Sequence, residues 1–214
     1  MGAVSKPEDL VRAIAAEGVR DPRVLDVLRE VPRSGFVPPD LAGQAYEDKP
    51  LPIGRAQVTT QPSLVARMVE ALALMGSGRV LEVGAGYGWQ TALLAGLSGF
   101  VWAMERFADV AEAARENLVR FGVANAEIVV GDGTKGLPAH APYDAILVAA
   151  AFPSVPRALE DQLAAKGRLV QPVGPGGREE VVLFEKGYRG LERLRVVAGA
   201  NFVKLRGAHA FPDE

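Results

Sequence analysis

From Pro62 onward the chain alternates short apolar runs with stretches whose apolar residues recur every three to four positions. The runs at 79–84, 100–104, 126–130, 143–149 and 167–173 read as strands, and the periodic stretches at 62–75, 88–98, 107–121 and 155–164 read as helices. Such alternation predicts an α/β fold with a mostly parallel, doubly wound sheet. The last part, EVVLFEKGYRGLERLRVV, changes to two strands around a turn from Lys186 to Gly190, which predicts an antiparallel hairpin on the sheet edge. Before Pro62 the pattern differs. PEDLVRAIAAEG and DPRVLDVLREVP are amphipathic, with prolines at their starts and Gly18 closing the first, so residues 7–31 hold two helices. Residues 32–62 carry six prolines and no sustained period, and an irregular segment of that length is commonly functional. The expected organisation is a helical and irregular cap, residues 1–61, that is not an independent domain, on a core of residues 62–214.

Composition narrows the class of partner. The 24 basic and 26 acidic side chains leave a net charge of -2, so no overall positive field recruits nucleic acid or an anionic membrane. The absence of cysteine excludes disulfides, thiolate metal sites and a thiol nucleophile, and makes the cytoplasm the expected location. No apolar core of signal-peptide length stands at the N-terminus, and Lys6 occupies the position where myristoylation needs Ser or Thr. The most apolar stretch, Ala145 to Phe152, is too short to span a bilayer and stops at Pro153. His140 and His209 lack supporting ligands at metal-site spacing, so no metal is expected. A monomer is the working expectation for the oligomeric state.

The candidate chemistry begins at VLEVGAGYGWQ, where Gly84, Gly86 and Gly88 follow an aliphatic run. A dinucleotide fingerprint would need its third glycine at the position of Trp89. Instead Glu82 stands two residues before the first glycine. A carboxylate there would oppose a phosphate but suit a cation, and S-adenosylmethionine carries a sulfonium and an ammonium group. Two further acids end the next strands. Glu105 closes FVWAME, where an acid accepts ribose hydroxyls, and Asp132 with Gly133 closes AEIVVGDG, where a carboxylate can accept an adenine amine. Each acid alone reads more readily as a solvated turn residue. Three at consecutive strand ends, on the crevice side of a parallel sheet, predict a methyl-donor site. Trp89 and Trp102 read as packing residues, with Trp89 able to border a ligand.

The sequence also resembles the protein-L-isoaspartate O-methyltransferase family over roughly residues 31–174. The resemblance rests on VPRSGFVPPD, AYEDKPLPIGRAQVTTQP, LEVGAGYG, GDGTKGLP, YDAILVAAA and GRLVQPVG, in the family's order and spacing. It implies a Rossmann-like class I methyltransferase fold of seven strands, S-adenosylmethionine as cofactor, and proteins or peptides containing L-isoaspartyl residues as substrate. It further implies that the proline-rich segment helps cover the active site, that Thr60 takes the catalytic hydroxyl position, and that Gln57, Val58, Thr59 and Arg106 join the cofactor contacts. Thr60 also reads as an ordinary N-cap for the helix at Pro62. Val58 stands where the family commonly has threonine, and Lys204, in NFVKLRGAHAF, where it has proline. Ala149 to Ala151 leave room for a ligand or simply pack.

The implied reaction agrees with the chain's lack of a thiol nucleophile. The free α-carboxylate of an isoaspartyl residue is already ionised at neutral pH, so methyl transfer needs no general base. A methyltransferase for another substrate, a cofactor-binding homologue without catalysis, and an NAD-dependent oxidoreductase remain alternatives at this level, the last disfavoured by Trp89.

Overall fold

The computed structural model of the chain describes residues 6–175 and 177–212; the expectation for the extreme N-terminus, residues 1–5, lies outside them. Helices α1 (Pro7–Ala16) and α2 (Pro22–Glu30) open it. Pro7, Glu8 and Asp9 start α1, and the Asp21 carboxylate accepts the Arg23 N–H at 2.9 Å to cap α2. Their apolar faces, Ile14 and Val27 among them, pack against the helices α3 (Pro62–Leu72) and α4 (Trp89–Leu97). The fit of α2 on α4 needs Gly96, where an added Cβ would lie 2.4 Å from Val27 Cγ2.

The predicted irregular stretch is more ordered than its prolines suggest. It forms two 3-10 turns, Arg33–Phe36 and Pro39–Gln44, and a small antiparallel pair, β1 (Leu51–Gly54) with β2 (Gln57–Thr59). Strands of four and three residues are too short to display a period, which is why the sequence pattern does not reveal them.

The core alternates as expected: β3 (Arg79–Val83), α4, β4 (Phe100–Glu105), α5 (Ala108–Arg120), β5 (Ala126–Val130), β6 (Tyr143–Val148), α6 (Arg157–Gln162) and β7 (Leu163–Val173). Strands β8 (Glu179–Gly187) and β9 (Gly190–Ala200) form the edge hairpin, closing through Tyr188–Arg189. The seven strands lie in the order β5-β4-β3-β6-β7-β8-β9, parallel from β5 to β7 and antiparallel beyond. Helix α6 is shorter than the pattern predicts and β7 begins earlier. Gln162 is drawn to the Leu137 N–H and the Lys135 carbonyl, both at 2.8 Å, and an irregular register lets Leu163 pair with Tyr143.

The sheet order reverses between β3 and β6, so the loop after β3 borders the crevice beyond the strand ends. Chain after β9 returns to the same place: Ala151 donates its N–H to the Val203 carbonyl and its carbonyl accepts the Leu205 N–H, both at 2.8 Å. Because those bonds use residues 203 and 205, the N–H of Lys204 takes no part in them, and lysine in place of proline leaves them unchanged. Among the described residues no helix is long and apolar enough to cross a membrane.

The first turn of α3 is capped from a distance. Asp48 accepts the Ser63 N–H at 2.8 Å through Oδ1 and the Gln61 side-chain amide at 2.8 Å through Oδ2, whereas Gln61 at the N-cap position makes no cap bond of its own. Asp48→Ala is expected to cost about 1 kcal/mol, seen as a lower urea midpoint at unchanged m-value.

Candidate active site

An open cavity of about 930 Å³ lies at the switch point, walled by the glycine loop, β2 and the returning C-terminal segment. Of the predicted residues, Gln57, Val58, Thr59, Thr60, Gly84, Gly86, Glu105, Arg106 and Gly133 line it, and Glu82, Gly88 and Asp132 do not. The loop is built for shape. Gly84, Gly86 and Gly88 have φ of +95°, +55° and +89°, a region that side chains rarely adopt. The main-chain N–H groups of Gly84 and Ala85 donate to the Met104 carbonyl at 2.8 and 3.1 Å, tying the loop to β4.

The three strand-end acids, expected to ring one ligand, have separate tasks. Glu105 alone reaches the cavity. Its oxygens accept the N–H groups of Gly86 and Phe107, each at 3.1 Å, and burial raises its pKa against those bonds. Carboxylate lone pairs remain for ligand hydroxyls.

Glu82 is fully buried beneath α4, accepting from Thr91 Oγ1 at 2.5 Å and Gln90 Nε2 at 2.8 Å. Burial pushes its pKa up to about 7, with the Glu105 charge adding to the effect. The proposed cation contact at Glu82 is therefore corrected: its carboxyl faces the helix and holds only a partial charge at neutral pH. Gly88 closes against Ala114 and serves the start of α4.

Asp132 likewise faces protein. Burial pushes its pKa up, but bonds from the Ala208 N–H at 2.8 Å and from Thr134 outweigh this and hold it below the usual range. Gly207 comes so near that an added Cβ would sit 2.0 Å from Asp132 Oδ1. The carboxylate expected to meet adenine thus anchors the C-terminal segment, and Gly133 meets the cavity in its place.

Thr60 occupies a wall shared with a second cavity, and among the described residues its hydroxyl has no hydrogen-bond partner. The capping alternative is removed by Asp48. Thr59 Oγ1 accepts from Arg33 Nη2 at 2.5 Å and from the Leu51 N–H at 3.4 Å, which occupies its lone pairs and leaves its O–H as a donor.

Arg33 is the residue that the sequence reading missed. It is fully buried, and its guanidinium donates to the carbonyls of Ala45, Glu47, Lys49 and Thr60 at 3.0–3.3 Å as well as to Thr59. It also lies 5.3 Å from the centre of the Trp89 ring, whose indole N–H donates to the Val31 carbonyl. Burial lowers its pKa to about 10, which still leaves it charged at neutral pH. Arginine is so seldom fully buried that nothing in the local pattern marks it. Trp102 stacks on His140 and serves packing, while Trp89 also lines the cavity. Among the described residues no group of three or more acidic or histidine side chains is placed to hold a metal ion.

The Glu82 environment has a consequence for stability. A carboxyl whose folded pKa exceeds its unfolded value contributes stability that is whole below about 4.5 and lost as pH rises through about 7. The gap corresponds to roughly 3 kcal/mol. Glu82→Gln should therefore flatten the fall of Tm between about pH 5 and pH 8 relative to the parent protein; parallel Tm profiles would refute a raised pKa. The buried Gln90 Oε1, which has no partner, can accept from an amide or protonated carboxyl at position 82 after a half-turn of its side chain.

Comparison with known proteins agrees with this architecture. The family model described as protein-L-isoaspartate(D-aspartate) O-methyltransferase matches residues 5–210. A protein-L-isoaspartate O-methyltransferase of Methanoculleus marisnigri is 49% identical over 201 residues, covering 94% of this chain and 91% of that protein. One of Rhodopseudomonas palustris is 46% identical over 202 residues, covering 94% and 92%. A solved structure of the same name superposes with a TM-score of 0.82 at 28% identity, covering 95% of this chain and 67% of that one. A Plasmodium falciparum structure described as such an enzyme in complex with S-adenosyl-L-homocysteine shares the fold, with a TM-score of 0.78 at 22% identity, covering 94% and 98%. On a match that runs nearly end to end, with relatives close to half identical, the chain belongs to the protein-L-isoaspartate(D-aspartate) O-methyltransferase family.

Proposed function

We propose that the chain transfers a methyl group from S-adenosylmethionine to the free α-carboxylate of L-isoaspartyl residues in damaged proteins, starting their repair. The observation that carries this reading is Thr60: a hydroxyl without a partner among the described residues, at the wall common to two cavities, one of them bordered by the glycine loop and Glu105. The first cavity fits the cofactor. Glu105 retains lone pairs for a ribose diol, the glycine loop carries no side chain beyond hydrogen, and Ala149 and Ala150 leave room at the floor. Gln57, Val58, Thr59, Arg106 and Gly133 supply the remaining contacts, and residues up to 61 act as a cap on the core.

When bound, S-adenosylmethionine supplies a methyl group activated by a sulfonium. The chain's own residues position and exclude. The Thr60 hydroxyl donates to one oxygen of the incoming carboxylate and turns the other toward the first cavity. It stays un-ionised, since the carboxylate is already the nucleophile. Threonine's branched side chain restricts the rotamers, which keeps the hydroxyl aimed. Phe36, Ile53, Val65 and Leu205 exclude water that would solvate both charges and raise the barrier. Holding the reactants in line supplies roughly 7 to 11 kcal/mol. The methyl ester that results is more electrophilic than a carboxylate, so the neighbouring amide nitrogen attacks its carbonyl, gives up its proton and expels methanol, closing a succinimide without an enzyme group. Its hydrolysis returns some normal aspartate. A chain without cysteine suits the cytoplasm, where we place the reaction.

Incubation with labelled S-adenosylmethionine should put base-labile methyl ester on an isoaspartyl peptide and none on its normal aspartyl twin. Equal labelling of both, or of neither, would refute the reading. Thr60→Ala should lower kcat at least ten-fold while cofactor affinity by calorimetry changes less than two-fold. An unchanged kcat would remove Thr60 from the reaction.

A further inference from the structure

The hairpin of β1 and β2 forms one wall of the first cavity through Ile53, Gln57 and Val58, and the same cavity is lined by Gly86, Glu105 and Arg106 of the core. It lies directly on the glycine loop, since a Cβ added to Gly86 would sit 3.2 Å from Ile53 Cδ1. Its two ends are held differently. At the base, buried Arg33 donates to the Lys49 carbonyl at 3.0 Å and to Thr59 Oγ1. At the tip, Arg55 Nε donates to Asp109 Oδ2 in the first turn of α5 at 3.0 Å, a contact between residues 54 positions apart. The Arg55 guanidinium also lies 6.0 Å from the centre of the Phe107 ring, and the Phe107 N–H is bonded to Glu105. The tip thus lands on the short segment that presents Glu105 to the cavity.

The tip is the weaker end. Both side chains of the ion pair are 57% exposed, and a pair in water is screened by salt and holds only loosely. The bond from Arg55 keeps the Asp109 carboxyl below its usual range, so both partners are charged at neutral pH. The turn adds little of its own. Arg55 and Ala56 have φ of +52° and +54°, and a two-residue turn that is left-handed at both positions favours Asn-Gly over Arg-Ala. Neither Arg55 nor Asp109 lines the cavity, so the pair acts on a ligand only through the hairpin.

We propose that Arg55 and Asp109 are positioning residues that form a latch: their ion pair pins the hairpin across the first cavity, and coenzyme is exchanged when the pair parts and the hairpin swings about its Arg33 anchor. This rests on the coenzyme half of the repair reading and not on the identity of the substrate. A latch that closes the cavity whether or not it is filled governs how often the cavity opens, not how well the closed cavity holds its ligand. Weakening it therefore raises the rates of entry and exit by one common factor and leaves affinity unchanged. Loss of a residue that grips the ligand raises the exit rate alone.

Stopped-flow tryptophan fluorescence, with Trp89 at the cavity as reporter, can follow S-adenosylhomocysteine binding to and leaving the intact protein. Arg55→Gln and Asp109→Asn should each raise both the association and the dissociation rate about two- to five-fold, with Kd changed less than two-fold. The double variant should match either single variant, because both remove the same contact. Added salt should speed release from the parent protein more than from the double variant. Unchanged rates, faster release with weaker affinity, additive effects in the double variant, or an equal salt response would each overturn the latch while leaving the repair reading intact. Failure of S-adenosylhomocysteine to bind the parent protein would overturn both.

Discussion

The candidate site depends on a buried positive charge. Segment 45–60 has little apolar surface of its own with which to pack, apart from Ala45, Leu51 and Ile53, and its strands are too short to hold themselves together. Arg33 gathers it by donating to four carbonyls and one hydroxyl from both ends of the segment. Taking a guanidinium out of water is costly unless its donors are satisfied. Acceptors around its two Nη atoms recover part of that cost, Nε being left without a partner among the described residues, and they do so only in one conformation of the segment, which makes the charge a specifier of shape. The Trp89 ring below it and the nearby Asp48 charge support the cation. Asp48 in turn fixes the start of α3, so the cap, the helix and Thr60 are set by one connected polar group.

The strand-end acids illustrate how one residue type at equivalent positions diverges. Glu105 stays in contact with the cavity and is preorganised by two main-chain donors. Glu82, one strand inward, is covered by α4 and gives up part of its charge. Asp132, one strand outward, keeps its charge but spends it on the returning C-terminal segment. Of the three acids, only Glu105 borders the cavity itself. Arg106, Lys204 and Arg206 also border it. A glycine loop without side chains and the fixed donors on Glu105 shape it, in keeping with a reaction whose nucleophile and electrophile both arrive already charged.

The C-terminal segment ties the two ends of this logic together. It leaves β9 beside the second cavity, with the Phe202 N–H held by buried Glu179 at 2.9 Å. It then crosses to Ala151 and finishes on Asp132 and Thr134, so Val203 to Arg206 form one wall of the first cavity. Walls of both cavities are thus borne by one continuous stretch of chain.

Sequence by itself determined the alternation of strands and helices, the edge hairpin, the glycine loop at the sheet's switch point and the stretches shared with the family, because each depends on local periodicity, turn chemistry or contiguous spacing. Nine of the twelve expected site residues border the cavity for that reason: the ends of parallel strands and the loops after them must face one crevice. Tertiary structure alone decided which way Glu82 and Asp132 turn, that Asp48 and not Thr60 caps α3, and that Arg33 is buried. Those facts depend on partners between 8 and 76 positions away, as in Glu82 with Gln90 and Ala208 with Asp132. No local pattern encodes the direction of a side chain whose partner arrives only when the chain has folded.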